Sequence, residues 1–241
     1  PTPVIINPAE HFFSTVIDHD GSSTDGTCTF NLDTYEWTVI IKNIDGASEK
    51  WYIINTLRGI GHYHTWDGGE QESDDTNVLS VSGTTFTLGS TLGDKSYLVE
   101  FHKAGLSSAK AANEEGDRNT VATSVNLISG FGMSEIVGTG SATNFGHGMD
   151  TAPEMVINAN ASINESKHVL HIGNNPDNRL DIGRSVAKGS GTTNNWGGAF
   201  PTPTLITIGT ETRTNGDGNN IIFYYWHGVS GYSSFGKYTG S

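Results

Sequence analysis

The densest run of acidic side chains, residues 70–75, is where hydrolytic chemistry would most readily arise in this sequence. Glycoside hydrolysis needs two carboxyl groups beside the scissile bond, one of them with a raised pKa. Glu70 and Glu72 would share one face of a strand. A charge run bounded by glycine is, however, more typical of a solvated loop. Because no nucleophile and base stand together elsewhere, we predict no enzyme activity, with a glycan depolymerase at Glu70/Glu72 as the alternative.

Two further groups of residues could hold a metal ion. Asp18, Asp20 and Asp25 surround a glycine turn with oxygen ligands that suit Ca²⁺, but the same residues are ordinary turn formers. His62 and His64 would lie on one face of a strand, as two ligands of a zinc site would, without a third ligand at a readable spacing. We expect no metal and no other cofactor, and the sequence leaves both sites open.

Aromatic residues in polar loops are the best candidates for ligand contact. Trp66 and Trp196 are each followed by glycines and lie beside Asp67 and Asn195, respectively. An indole face next to hydrogen-bonding groups suits a sugar ring. We therefore predict a glycan-binding surface made of Trp66, Asp67, Asn195 and Trp196. The remaining tryptophans lie in β-branched runs and are predicted to be core residues: Trp37, Trp51 and Trp226.

The composition excludes several classes of partner. The chain has 241 residues, a formal net charge of −13 and one cysteine. Nucleic acid and anionic membranes need clustered Lys and Arg, so neither is expected as a partner. Cys28 has no second cysteine for an intrachain disulfide and is predicted to be a small buried residue. No apolar run is long enough to span a bilayer, and no signal peptide is recognisable, so we expect a soluble protein.

Short strand patterns dominate the elements that must position these residues. β-branched and aromatic runs at 38–41 and 51–54 flank an Asp45-Gly46 turn, and similar runs recur about every ten residues. This cadence predicts an all-β sandwich or barrel. Helix signals are confined to residues 106–115.

The chain also repeats itself. Residues 12–22 correspond to 131–141, and the strand pattern ending in Phe101-His102 corresponds to the one ending in Trp226-His227. A repeat of this length indicates modules in series. We predict an all-β fold of two tandem, jelly-roll-like β-sandwich modules at 1–105 and 130–228. A short linker spans 106–129, with one helical turn or an extra strand near 124–128, and the tail 229–241 resembles the start of a further repeat.

Several stretches carry a family resemblance. They are Asn7-Pro8-Ala9-Glu10-His11-Phe12, Leu57-Arg58-Gly59, residues 101–105, residues 138–141, residues 146–149 with 152–157, and residues 231–236. In this order they resemble a repeated module, of unknown function, in tail-fibre-like structural proteins of marine and cyanobacterial phages. The resemblance implies fibre assembly, adhesion and no catalysis.

The expected function is that of a non-catalytic virion structural or adhesion protein in a tail fibre. It would display or space a glycan-binding, host-recognition surface and act outside the cell. The expected partners are further copies of the chain, as a trimer by analogy, other virion tail proteins, and a host glycan or receptor. A subunit of a surface lattice or filament is the second alternative.

Overall fold

In a computed structural model the chain is all-β, as predicted, and residues 6–46, 50–66, 71–178, 180–182 and 194–237 are described. The strands are β1 (Phe12–Asp20), β2 (Thr24–Thr27), β3 (Tyr35–Asn43), β4 (Trp51–Asn55), β5 (His62–Thr65), β6 (Ser73–Asp74), β7 (Leu79–Ser82), β8 (Thr85–Leu88), β9 (Asp94–Leu106), β10 (Ala122–Asn126), β11 (Phe131–Val137), β12 (Thr143–Gly146), β13 (Met155–Asn160), β14 (Lys167–His171), β15 (Leu180–Ile182), β16 (Leu205–Ile208) and β17 (Asn220–Trp226).

Helix is sparse in the described residues. It comprises α1 (Thr212–Asn215) and two 3₁₀ turns, Pro8–Glu10 and Ser107–Ala109. The helix signal at 106–115 therefore yields only the turn Ser107–Ala109. Leu106 still belongs to β9, and Lys110 is already extended at φ −63° and ψ 121°. Ala111 then forms a β-bridge with Thr123, so sheet pairing overrides the local preference of the alanines for helix.

Four antiparallel sheets account for the described strands. The first large sheet has the order β1-β9-β3-β4-β5-β6, and the second large sheet has the order β10-β11-β17-β13-β14-β15. The first small sheet is β2-β8-β7 and the second small sheet is β12-β16. The run β1-β9-β3-β4-β5 has the same neighbour order as β11-β17-β13-β14-β15. A duplicated module would produce this correspondence.

Each large sheet has a small sheet on one face. Trp37 and Phe101 of the first large sheet pack against Phe86 of the first small sheet. In the other half, Phe223 of the second large sheet packs against Phe145 of the second small sheet. These two outer cores make each half a small sandwich.

The two large sheets meet through their opposite faces in a third, central core. Ile40 and Ile53 come from the first large sheet, and Met133, Ile157 and Tyr224 come from the second. The continuous apolar run of β3 is explained by this arrangement: Val39 and Ile41 point into an outer core while Ile40 points into the central core. The four sheets thus stack as small, large, large, small.

The segment between the large sheets is hydrogen-bonded along much of its length. Residues 122–126 form β10, an edge strand that pairs with β11, where we predicted an optional extra strand. The Asn126 side chain donates to the backbone oxygen of Lys103, and Gly105 N donates to Ser124 Oγ. The predicted linker is therefore built into both large sheets.

The described end of the chain returns to its described beginning. Val229 and Ser233 form a β-bridge, and the Tyr232 ring lies 6.5 Å from the His11 ring, edge to face. No helix within the described ranges is long and apolar enough to cross a membrane.

Candidate functional site

Four aromatic rings meet at one end of the central core. Phe12 on β1 stands opposite His102 on β9, and Phe131 on β11 stands opposite Trp226 on β17. The first large sheet therefore supplies one pair of rings and the second supplies the other. Ring centroids are 5.0 Å apart for Phe12 and His102, 5.5 Å for His102 and Phe131, and 5.2 Å for Phe131 and Trp226.

The pairing of these strands corrects one feature of the predicted repeat. The sequence aligns His102 with His227 and Phe101 with Trp226. By register, however, Phe12 faces His102 while Phe131 faces Trp226, so His102 and Trp226 occupy the same place in the two sheets. Phe101 points into an outer core instead. Because strand faces alternate, a shift of one residue moves a side chain to the opposite face.

The four rings border an open cleft of about 290 Å³, which we call the aromatic cleft. Its lining is completed by side chains from the two ends of the described chain and from the turn before β11: Pro8, His11, Ser129, Tyr232 and Ser233. Asn126 Nδ2 donates to His11 Nδ1 at 3.0 Å, so the remaining proton of this imidazole is on Nε2. The cleft thus combines aromatic faces with imidazole and hydroxyl groups.

The two imidazoles of the cleft are uncharged near neutral pH. Burial lowers the pKa of His102 to about 4. Burial, followed by the nearby charge of Lys103, lowers the pKa of His11. A group that loses its charge on burial can still donate and accept hydrogen bonds. The arrangement therefore suits a neutral ligand with hydroxyl groups and one apolar face.

A second cluster, the Arg58 cluster, is polar and joins the two large sheets. Arg58 Nη2 and Nε lie 2.6 and 3.0 Å from the two Glu72 carboxylate oxygens, and Nη1 lies 2.7 Å from Glu135 Oε1 on β11. The carboxylates raise the pKa of Arg58 through these hydrogen bonds, and burial raises the pKa of Glu135. Asn55 nearby donates to the Tyr224 hydroxyl at 2.9 Å.

Both histidines singled out in the sequence border the Arg58 cluster. His62 Nδ1 lies 2.6 Å from Asp74 Oδ1 and 3.9 Å from Glu72 Oε1. His64 Nε2 lies 3.7 Å from Glu72 Oε2. Burial lowers the pKa of His64 to about 3, and the positive charges of Lys167 and Arg58 act in the same direction.

The predicted loop tryptophans are buried, so the expectation of exposed indoles is wrong. Trp66 is 8% exposed and lies in the central core, 6.2 Å from the Tyr224 ring. Trp196 is 0% exposed and packs on Phe223. Asn195 is also buried, and Asp67 lies outside the described residues. Polar neighbours in sequence do not expose an indole when a loop folds back over a sheet.

The strand tryptophans divide in a way that was only partly predicted. Trp37 is fully buried and donates its indole N–H to the Leu32 carbonyl, as expected for a core residue. Trp51 is 39% exposed, so its core assignment is wrong; the Lys42 ammonium lies over its ring. Trp51 is the first residue of β4, so its side chain lies at the end of the sheet, outside the outer cores and the central core. Trp226 is half-buried at the aromatic cleft.

The aspartates considered for calcium have separate partners. Asp20 accepts hydrogen bonds from the backbone and hydroxyl of Ser22, which lowers its pKa. Asp18 accepts from the Ser96 hydroxyl and Asp25 from the Thr87 hydroxyl. Among the described residues, the one group of three close metal-ligating side chains is His62, Glu72 and Asp74. The aspartates therefore support turn and cross-strand contacts.

Cys28 and the acidic pair Glu70/Glu72 were also singled out in the sequence. Cys28 is buried and unpaired, and burial raises the pKa of its thiol. Glu70 lies outside the described residues. Its proposed partner Glu72 has both carboxylate oxygens on Arg58.

The aromatic cleft was missed because its four rings lie 29 to 214 residues apart in the chain. One signal was present: Phe12 and Phe131 begin equivalent strands of the repeat. The equivalence does not show that these aromatic residues meet, because only the contact between the large sheets brings them together.

Comparison with known proteins gives one family. No curated protein and no solved structure matches the chain. A family described as a domain of unknown function, DUF7483, matches residues 7–241, a range that includes both large sheets. The cleft and the Arg58 cluster both lie within that match, and the chain belongs to the DUF7483 family.

Proposed function

We propose that the chain is a non-catalytic adhesion module that holds a saccharide in the aromatic cleft. The observation that carries this proposal is the meeting of Phe12, His102, Phe131 and Trp226 around an open cleft between the two large sheets. The resemblance to phage tail-fibre modules makes a virion tail fibre the proposed setting.

The chemistry of the cleft favours a sugar over other small ligands. Aromatic faces cover the apolar face of a pyranose, while Tyr232, Ser233 and the neutral His11 imidazole offer hydrogen bonds to its hydroxyls. Among the residues that the structure describes, the lining includes no carboxylate, lysine or arginine that would serve as a counter-ion for a charged ligand. The volume of about 290 Å³ is near the lower end of small-molecule sites and suits one or two sugar rings.

The depolymerase alternative finds less support in the geometry. A catalytic carboxylate must face an open substrate site. The Glu72 side chain is 8% exposed and is bound at both oxygens by Arg58. We infer that Glu72 serves the contact between the sheets.

Titration with mono- and disaccharides, followed by tryptophan fluorescence and NMR, tests the proposal. Trp226→Ala and Phe12→Ala should weaken binding at least tenfold because each removes a ring from the cleft. Trp51→Ala is the matched control, since it removes an exposed indole outside the cleft, and it should bind as the parent does. Equal binding by all of these folded proteins, or product formation from an oligosaccharide, would refute the proposal.

Self-association is the second part of the proposed function, with a trimer suggested by family analogy alone. Leu106, Leu127 and Ile128 are 45%, 51% and 57% exposed and border one groove beside β10, where an oligomer would cover them. Light scattering should give a mass above 25.7 kDa for the parent, and Leu127→Lys with Ile128→Lys should return it to the monomer. A parent protein that is monomeric at micromolar concentration would contradict self-association. A parent protein that forms filaments would instead favour the alternative of a surface-lattice or filament subunit.

A further inference from the structure

We propose that His62, Glu72 and Asp74, together with His64, bind one divalent transition-metal ion of the zinc class. The proposal is independent of the saccharide function. It concerns the edge of the first large sheet, where β5 and β6 meet.

The ligand atoms already converge. One side-chain nitrogen or oxygen from each of His62, Glu72 and Asp74 lies within 4.8 Å of the others. His62 and Asp74 are direct partners across the β5–β6 ladder, which aligns their side chains on one face. Tetrahedral zinc sites use four ligands, with imidazole nitrogen and carboxylate oxygen at about 2.0–2.2 Å from the ion, so these three atoms would draw together around an ion and leave the fourth position for His64.

His64 supplies a separate observation that points to a ligand. Its side chain is 1% exposed, and neither ring nitrogen has a hydrogen-bond partner among the described residues. Buried polar atoms without partners are rare and costly. Nε2 lies 3.7 Å from Glu72 Oε2, so this imidazole borders the carboxylate whose other oxygen lies 3.9 Å from His62 Nδ1. A metal ion would give this imidazole the partner that it lacks.

Arg58 is compatible with a metal on Glu72. A carboxylate has about four lone-pair sites, and the guanidinium uses two of them at 2.6 and 3.0 Å. Metal-ligating carboxylates are commonly held by such outer hydrogen bonds. Glu135, which also binds Arg58, offsets its positive charge. Arg58 therefore orients Glu72 for the ion.

An ion can reach the site from solvent. His62 and Asp74 border an open surface cleft of about 440 Å³. The Asp74 side chain is 82% exposed, so it can close on an ion without rearrangement of the core. The imidazoles select zinc, cobalt or nickel over calcium and magnesium, which prefer oxygen ligands alone.

A bound ion would also strengthen the contact between the two large sheets. It would connect β5 and β6 directly, and the chain Glu72–Arg58–Glu135 continues from β6 to β11. Glu72 N additionally donates to the Ala161 carbonyl beside the second large sheet. Metal binding should therefore raise the thermal stability of the whole protein.

The test uses untagged, chelator-treated protein with Zn²⁺ in calorimetry and Co²⁺ as a spectroscopic probe. The parent should bind one equivalent at micromolar or lower Kd and show the intense visible absorption of tetrahedral cobalt. Asp74→Asn should weaken binding at least tenfold, and His62→Gln about a hundredfold. Zn²⁺ should raise the Tm of the parent by several degrees and leave the Tm of His62→Gln unchanged.

The matched control is Asp217→Asn, an exposed aspartate outside the site, which should bind as the parent does. If His62→Gln fails to fold, the exposed Asp74→Asn variant still decides the question. Parent protein that binds neither ion above buffer level would overturn the proposal. Equal loss of affinity in Asp217→Asn and Asp74→Asn would overturn it too.

Discussion

At the residue scale, burial of the tryptophans follows from the sheets above them and not from their sequence neighbours. Trp196 stands among asparagines and glycines yet is 0% exposed, because its loop closes the outer core over Phe223. Trp51 stands among isoleucines and tyrosine yet is 39% exposed. The sequence predicts a large loss of stability on replacing Trp51 and a small one on replacing Trp196. The structure predicts the reverse.

Trp196→Ala should lower the free energy of unfolding by about 3–5 kcal/mol, since it leaves a large cavity in an apolar core. Trp51→Ala should lower it by less than about 1 kcal/mol, because the ring is already partly in water. Urea unfolding followed by circular dichroism measures both. A Trp196→Ala protein as stable as the Trp51→Ala protein would show that the loop does not cover the core.

The His102 imidazole makes stability depend on pH in a defined window. Its folded-state pKa is lowered to about 4 by burial from a usual value of 6.5, so the unfolded chain takes up the proton first. The stability that the neutral His102 imidazole contributes to the folded state is fully present above about pH 6.5 and is lost as the pH falls toward 4. Burial lowers the pKa of His147 as well, so other histidines act in the same direction.

Comparison with His102→Phe isolates the contribution of this imidazole to the pH dependence of stability. Between pH 7 and pH 4 the parent should lose about 1–2 kcal/mol more than the variant, a value reduced from the full shift because the ring is partly exposed. Thermal unfolding at several pH values provides the measurement. Parallel curves for the two proteins would mean that His102 is not buried enough to resist protonation.

At the element scale, the first small sheet depends on a glycine beneath an aromatic ring. Gly26 on β2 is paired with Phe86 on β8, and a Cβ at Gly26 would lie 2.2 Å from the end of the Phe86 ring. Phe86 is fully buried between the first small and first large sheets, so it has no room to move aside. The ring covers the backbone that the glycine leaves bare, as aromatic residues do over glycines in other sheets.

Gly26→Ala should therefore destabilise the protein by about 1–3 kcal/mol through overpacking. Gly93→Ala is the control, since no atom lies within 4 Å of a Cβ at that position, and it should be neutral or slightly stabilising. Denaturant midpoints of the two variants compare them directly. If the Gly26→Ala variant is as stable as the parent, the Phe86 ring does not lie over Gly26 on β2.

At the scale of the whole molecule, the central core joins the two halves into one structure. Ile53 from one half and Tyr224 from the other lie in the same core, and Asn55 donates to the Tyr224 hydroxyl. The family match also runs through both halves without a break. We therefore expect one cooperative unfolding transition, where two modules on a flexible linker would give two.

Arg58→Ala tests this contact. Removing the guanidinium leaves Glu72 and Glu135, both less than a tenth exposed, without their counter-ion, which should cost about 3–5 kcal/mol. Arg213→Ala is the control, because its partners Glu165 and Glu211 are 35% and 31% exposed and the loss should be about 1 kcal/mol or less. Calorimetry should show a single peak for the parent. Two peaks, or equal losses in the two variants, would contradict a shared core.

The sequence by itself determined the all-β fold class, while the two tandem modules stay a prediction. Alternating and continuous apolar runs specify strands locally, and the similarity of 12–22 to 131–141 is matched by the equivalent places of β1 and β11 in their sheets. The absence of a disulfide partner for Cys28 is likewise a property of composition. These features depend on neighbours in the chain, so a linear pattern carries them.

Only the tertiary structure decided which faces of the two large sheets meet, and with that the aromatic cleft. The aromatic cleft needs Phe12 and Trp226 at one end of the central core, and the proposed metal site needs β6 beside β5 so that Glu72 reaches His64. The same contact buried Trp66. Glu72 and His64 are only eight residues apart, but Phe12 and Trp226 are 214 residues apart and are brought together by the packing of sheet faces. Local patterns do not encode which faces will pack.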